Sequence, residues 1–113
     1  QVVTLEAHHQ WYARRLANLG APMWIVLADA RPAGVVRIDR LDPERGRISI
    51  ALGGTWRGQG VGRQAISLAC AEWARPVIAE IVPANHASIA CFEACGFVAT
   101  HHNDQFLTYQ WSP

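Results

Sequence analysis

The sequence contains no lysine; its ten basic side chains are all arginine. This excludes a Walker A phosphate loop, which must end in Gly-Lys-Ser/Thr. We read the bias as codon usage, though each arginine remains a fixed, planar donor suited to phosphates or carboxylates. The net charge is only +1, so no broad basic field is present and no nucleic-acid partner is expected. Long apolar runs are also missing. None approaches the roughly 20 residues of a membrane span, and no membrane association is expected. The opening stretch QVVTLEAHHQ has no basic segment followed by an apolar one, so no targeting signal is expected there. Cysteine is scarce: Cys70, Cys91 and Cys95. An odd count argues against a disulfide framework, and no CxxC or CxxH spacing marks a metal site. Small reduced packing thiols fit a cytoplasmic protein. Internal repeats, linkers and low-complexity tracts are absent.

What is present is a chain of 113 residues, 50% hydrophobic and 17% charged, enough for one folded domain. Thr4 can cap a helix over about residues 5–19, where Leu5, His8, His9, Tyr12, Leu16 and Leu19 recur at helical spacing before Gly20 and Pro22. Residues 23–28 form an apolar run that reads as a strand. Residues 34–40 and 47–52 alternate, with Val36 and Ile38, then Ile48, Ile50 and Leu52, on one face. With turns at 29–33 and 41–46, these segments predict an antiparallel meander. A glycine-rich stretch, 53–62, leads into a helix over 61–74 with Val61, Ala65, Leu68, Ala69 and Trp73 as its stripe. Residues 77–82 predict a buried strand. Asn85 then caps a helix carrying Ile89, Phe92 and Cys95 inward and ending at Gly96. A hairpin of 97–100 and 106–111, looping across 101–105, closes the chain. The expected class is α+β, a mixed α/β domain with one central sheet.

The segment RISIALGGTWRGQGVG, residues 47–62, carries the chemistry. A strand feeds a loop and the loop feeds a helix. Gly58, Gly60 and Gly62 let backbone N–H groups approach a ligand, and the helix N-terminus adds unpaired N–H groups and a positive dipole end. That is an anion site suited to a pyrophosphate. The Rossmann GxGxxG pattern is broken at Arg63, and the flanking strands are not a βαβ unit. Taken alone, the loop can also be a plain glycine-rich turn.

A second segment, NHASIACFEACGF at 85–97, completes a pattern. The chain resembles the GNAT acetyltransferase family, whose acetyl-coenzyme A signature Arg/Gln-x-x-Gly-x-Gly/Ala is met by Arg57, Gly60 and Gly62. About 20 residues later the family's Asn-x-x-Ser/Ala, aromatic and Gly-Phe are matched by Asn85, Ser88, Phe92, Gly96 and Phe97. The resemblance covers about residues 23–111. It implies a mostly antiparallel central sheet flanked by helices and acetyl-coenzyme A as co-substrate, without a metal. It also implies transfer of an acetyl group to a primary amine. The pyrophosphate would lie against Arg57, Gly58, Gln59, Gly60, Val61, Gly62 and Arg63. The pantetheine arm would pair with the backbone of Ile50, Ala51 and Leu52, as a strand adds to an edge, near Asn85, Ser88 and Phe92. An N–H near Leu52 would polarise the thioester carbonyl.

Departures from the family pattern are informative. Many members carry a tyrosine where this chain has Phe92, so the leaving thiolate takes its proton elsewhere: from Cys91, Ser88, the amine product or solvent. Glu80, on the strand after the loop helix, is the candidate base that deprotonates the amine, and a solvent-facing edge residue is its plain alternative. His8, His9 and His86 can also serve. His8 and His9 point about 100° apart on a helix, so at most one faces a cleft. His101 and His102 fall in the predicted hairpin loop. The family's first strand is missing on this reading, since only residues 1–3 precede the predicted helix; the alternatives are a C-terminal part of a longer chain, fusion to another domain or a homodimer. The segments HHQWYARRL, WIVLADARPAGVVRID and RISIALGG resemble the subgroup acting on nucleotide-linked amino sugars, which makes Arg37, Arg40 and Trp24 candidate phosphate and base contacts. A protein N-terminal or lysine amine, or a non-catalytic acetyl-coenzyme A module, are the alternatives.

Overall fold

The computed structural model describes residues 1–7 and 22–113. Seven strands form one sheet: β1 (Val3–Ala7), β2 (Met23–Ala28), β3 (Arg31–Arg40), β4 (Gly46–Leu52), β5 (Val77–Ile81), β6 (Val98–His102) and β7 (Leu107–Trp111). Among the described residues two helices cross it, α1 (Val61–Trp73) and α2 (His86–Ala94). The strand order is β1-β2-β3-β4-β5-β7-β6. Every neighbouring pair is antiparallel except β4 and β5, which run parallel.

The front of the chain differs from the sequence reading. Residues 3–7 form a strand paired with β2, Val3 opposite Ala28 and Ala7 opposite Trp24. A first strand is therefore present, and Thr4 sits inside it rather than capping a helix. Val3 is buried and Leu5 packs against the core. The spacing that reads as a helix from Leu5 onward is thus, up to Ala7, the two-residue alternation of a strand. The remainder of that predicted helix, including His8, His9, Tyr12, Leu16 and Leu19, lies outside the described residues.

The meander follows the pattern predicted for it. Trp24, Val26, Ala28, Val36, Ile38 and Ile48 lie on one face and form the core with Val61, Ala65, Ile66, Ala69 and Cys70 of α1. Helix α1 spreads this stripe across β1, β3 and β4. Ile66 and Cys70 are buried, while Leu68, predicted to face inward, is 39% exposed. The stripe sits one step round the helix from its predicted place. At the end of the sheet where β3, β4 and β5 begin or finish, Gly46 leaves no room for a Cβ against Ile38 and the Trp73 ring. Helix α2 packs on β5 and α1 and brings Phe92 against Phe97, ring centroids 5.0 Å apart and edge to face.

The final hairpin has its turn later than predicted. His101 and His102 belong to β6, opposite Thr108 and Leu107. All five residues of β6 are exposed, so this edge strand has no apolar alternation to reveal it.

Candidate active site

The cleft arises where β4 and β5 part. Their parallel ladder has two rungs, Gly46 opposite Val77 and Arg47 opposite Ile78, and then ends. Both strands run on, to Leu52 and Ile81, so the edge of β4 from residue 48 onward has no ladder partner on the β5 side. Unpaired backbone donors and acceptors on a strand edge are a template for an extended ligand. The gap is a cleft of about 270 Å³ lined by Ile48, Ser49 and Ile50 of β4, residues 79–82, and Asn85, Ser88 and Phe92. Successive strand residues point to opposite faces, and Ser49 and Glu80 alternate here with Ile48, Ile50, Ala79 and Ile81. The gap therefore has lining from both faces of the sheet.

At the mouth of the gap the chain turns through a 3₁₀ turn, Gly54–Trp56, and reaches α1 through Gly58 and Gly60, with φ of 74° and 78°. Both glycines occupy the left-handed region that an L side chain adopts only with strain. A Cβ on either would meet nothing within 4 Å, so the space above them is open. Gly60 is the N-cap of α1 and supplies no side-chain cap, and no acidic residue stands in the first turn. The first N–H groups of α1 are thus left for a ligand. Val61 has its side chain fully buried, so it can offer only its N–H. Gly62 is seated against Leu52, 3.3 Å from a built Cβ, and Cys91 Sγ, 3.6 Å, which locks the start of α1 to the end of β4 and to α2. Arg57 and Arg63 are exposed and take part in no salt bridge among the described residues. Gln59 donates to Thr55 O at 2.6 Å and accepts from Gln1 at 2.9 Å. An open, uncapped, cationic cradle beside an unpaired strand edge fits a diphosphate joined to an extended amide arm.

Asn85 caps α2 as predicted, its Oδ1 accepting from Ser88 N at 3.2 Å. Asn85, Ser88 and Phe92 also line the cleft, so capping and cleft lining coincide at Asn85. Phe92 is 5% exposed and forms part of the wall. Glu80 lies at the rim on β5, opposite Thr108, and accepts from Arg47 Nη1 at 3.1 Å. The alternative thiol donor, Cys91, stands outside the cleft lining. Burial together with nearby Cys95 pushes its thiol up. Burial drives Cys70 further, to about 12. His86 is exposed at the head of α2.

The candidate acceptor contacts separate. Arg37 stands directly opposite Ser49, a cleft residue. Its Nε is buried 3.2 Å from Asp39 Oδ1, close enough for an ion pair yet not aligned as a hydrogen bond. Trp24 is only 9% exposed on the core face, and Arg40 is at the closed end of the sheet, stacked over Trp73 at 5.7 Å. Neither joins the cleft. Two residues were missed by sequence reasoning, Ser49 and Arg47. The available signal was polarity at alternate positions of the strand that feeds the glycine-rich loop. Among the described residues no three metal-ligating side chains gather, and no helix is long and apolar enough to cross a membrane.

The family model described as an acetyltransferase (GNAT) domain matches residues 1–98. The chain belongs to the GNAT acetyltransferase family. It is accordingly an N-acetyltransferase, with the mostly antiparallel sheet and flanking helices of that fold. Solved GNAT structures superpose over nearly the whole chain. The aminoglycoside acetyltransferase AAC(6')-Ib in complex with coenzyme A aligns with a TM-score of 0.80 and 13% identity, covering 98% of this chain and 95% of its own. The spermidine/spermine N-acetyltransferase SpeG from Vibrio cholerae gives 0.80 and 14%, with coverage of 97% and 94%. The N-acetyltransferase PseH from Campylobacter jejuni, in complex with acetyl coenzyme A, gives 0.75 and 13%, with coverage of 98% and 99%. No curated protein matches the sequence significantly. At these identities the GNAT neighbours establish the fold and leave the acceptor of this chain to its own side chains.

Proposed function

We propose that the protein transfers the acetyl group of acetyl-coenzyme A to the primary amine of a phosphate-bearing small molecule, a nucleotide-linked amino sugar being the class favoured. The observation that carries this reading is the two-rung junction of β4 and β5, with the open glycine cradle at its mouth and Glu80 at its rim. The coenzyme, when bound, supplies the activated acetyl thioester. The chain's residues do the rest. First-turn N–H groups of α1, with Arg57 and Arg63, hold the diphosphate. The unpaired edge of Ile50, Ala51 and Leu52 aligns the amide arm, with Asn85, Ser88 and Phe92 forming the opposite wall.

The acceptor amine arrives as an ammonium ion and must lose one proton before it can attack. Glu80 takes that proton as a carboxylate and later passes it to solvent. A second proton, lost from the nitrogen as the amide forms, goes to the departing thiolate. The products are the acetamide, the coenzyme thiol and one proton released. Phe92 has no hydroxyl to give, so the donor at the usual tyrosine position is absent. Its ring instead screens the reacting sulfur from water.

Arg37 supports the choice of acceptor. It stands opposite a cleft residue, and among the described residues its buried Nε makes no hydrogen bond; a guanidinium is a planar donor suited to phosphate. The test is release of coenzyme thiol against a panel of nucleotide-linked amino sugars, the matching free amino sugars, polyamines, aminoglycosides and peptides. Nucleotide-linked amino sugars are expected to give the highest kcat/KM. Faster release with peptides would move the acceptor to protein amines. Tight coenzyme binding with no release for any amine would make the domain a binding module.

A further inference from the structure

We propose that Arg47 is a positioning residue for Glu80: it pins one carboxylate oxygen so that the other is presented to the acceptor amine. This rests on the reading of Glu80 as the proton acceptor. Arg47 occupies the last rung of the β4/β5 ladder, opposite Ile78, and Glu80 follows two residues later on β5, on the same face of the sheet. The single bond between them runs from Arg47 Nη1 to Glu80 Oε1 at 3.1 Å. No described group donates to Oε2. One oxygen is therefore committed and the other is free at the rim of the gap.

The rest of the face explains why Arg47 turns toward Glu80. Asp39 stands directly opposite Arg47 on β3, but Arg37 already lies 3.2 Å from that carboxylate. Along the face the signs alternate: Arg37, Asp39, Arg47, Glu80. On the far side the residue opposite Glu80 in the ladder is Thr108, which is uncharged. Among the described residues Arg47 is thus the cation in contact with Glu80, and its planar fork fixes a carboxylate in a way that a point charge does not. Both partners are substantially exposed, 44% and 38%. An exposed pair of this kind contributes little to stability, whereas a proton acceptor depends steeply on its alignment.

The experiment compares kcat, KM for acetyl-coenzyme A and melting temperature for Arg47→Gln, Arg47→Lys, Glu80→Gln and the Arg47→Gln/Glu80→Gln double variant, using the best acceptor from the panel. Arg47→Gln is expected to lower kcat about tenfold with the coenzyme KM and melting temperature unchanged, and Arg47→Lys to recover part of the loss. Glu80→Gln is expected to lower kcat by about 10²-fold or more, and the double variant to be no slower than Glu80→Gln alone. Equal losses from Arg47→Gln in both backgrounds would overturn the proposal, because Arg47 would then act without Glu80. An unchanged kcat in Arg47→Gln beside a slow Glu80→Gln would overturn it too. An unchanged kcat in Glu80→Gln would instead remove the reading of Glu80 on which the proposal stands.

Discussion

Replacing Gly60 by alanine separates the ligand-binding role of the loop from its backbone cost. Gly60 has φ of 78°, and a Cβ there would meet nothing within 4 Å, so the substitution creates no clash in the bare protein. What it adds is the left-handed penalty of an L residue, about 1–2 kcal/mol. For a domain of this size that is a fall in melting temperature of about 4–8 °C. The same methyl projects into the open space above the α1 N-terminus, where a diphosphate must lie to reach the first N–H groups. Loss of one hydrogen bond to a charged group costs about 1.5–3 kcal/mol, which is about ten- to a hundredfold in affinity. Gly96→Ala is the control. Its φ is 89°, it follows α2 beside Trp111, and its Cβ would make only an ordinary 3.7 Å contact. Both variants should melt earlier by similar amounts, measured by circular dichroism. Only Gly60→Ala should weaken coenzyme binding, measured by calorimetry. Equal affinities for the two folded variants would refute the assignment of this loop to the diphosphate.

Two further outcomes follow from the packing. Phe92→Tyr adds a hydroxyl to a ring that borders the cleft and packs on Phe97; turnover should stay within about threefold of the natural enzyme, and a gain above about tenfold would show that a proton donor was missing. The buried Cys70 thiol, pushed from 9.0 up to about 12, keeps its proton in the folded state at a pH where the unfolded chain has lost it. The raised group stabilises fully below about pH 9, and that contribution falls by about 1.4 kcal/mol per pH unit as the pH rises toward 12. Urea melts between pH 8 and 11 should show this extra slope, and Cys70→Ala should remove it.

Legibility in the sequence followed punctuation. The start of α1 is written in Gly58 and Gly60, and the start of α2 in Asn85, because these residues have local conformational or capping reasons to be there. The meander was legible because one face is buried, so alternation is enforced from Val36 to Ile48. Strand β1 was not legible, since Val3, Leu5 and Ala7 alternate over too few residues to distinguish a strand from the opening turn of a helix. Strand β6 was hidden for the opposite reason: every residue is exposed, so nothing selects its pattern. At the site, the glycine motif pointed to the cradle and the Asn85 motif to the wall. The pairing of Arg47 with Glu80 joins residues 33 apart in the chain and depends on the parallel register of β4 and β5, which local pattern does not encode. Trp24 and Arg40 show the same limit: residue type suggested ligand contact, and strand position placed one in the core and the other at the wrong end.

The short ladder between β4 and β5 also divides the molecule mechanically. Strands β1 to β4 with α1 form one leaf, and β5, β7 and β6 with α2 form the other. The leaves are stitched by two residue pairs at one end, tied by the Arg47–Glu80 pair, and clasped where α1 meets α2, with Gly62 against Cys91 and the Cys95 thiol bonded to Arg63 and Ser67. With so short a ladder between β4 and β5, backbone amides along it should exchange with solvent sooner than those inside either leaf. An extended molecule laid into the gap supplies the missing rungs and ties the leaves together. Ligand occupancy is then felt as resistance to prying the two halves apart, well beyond the atoms it touches.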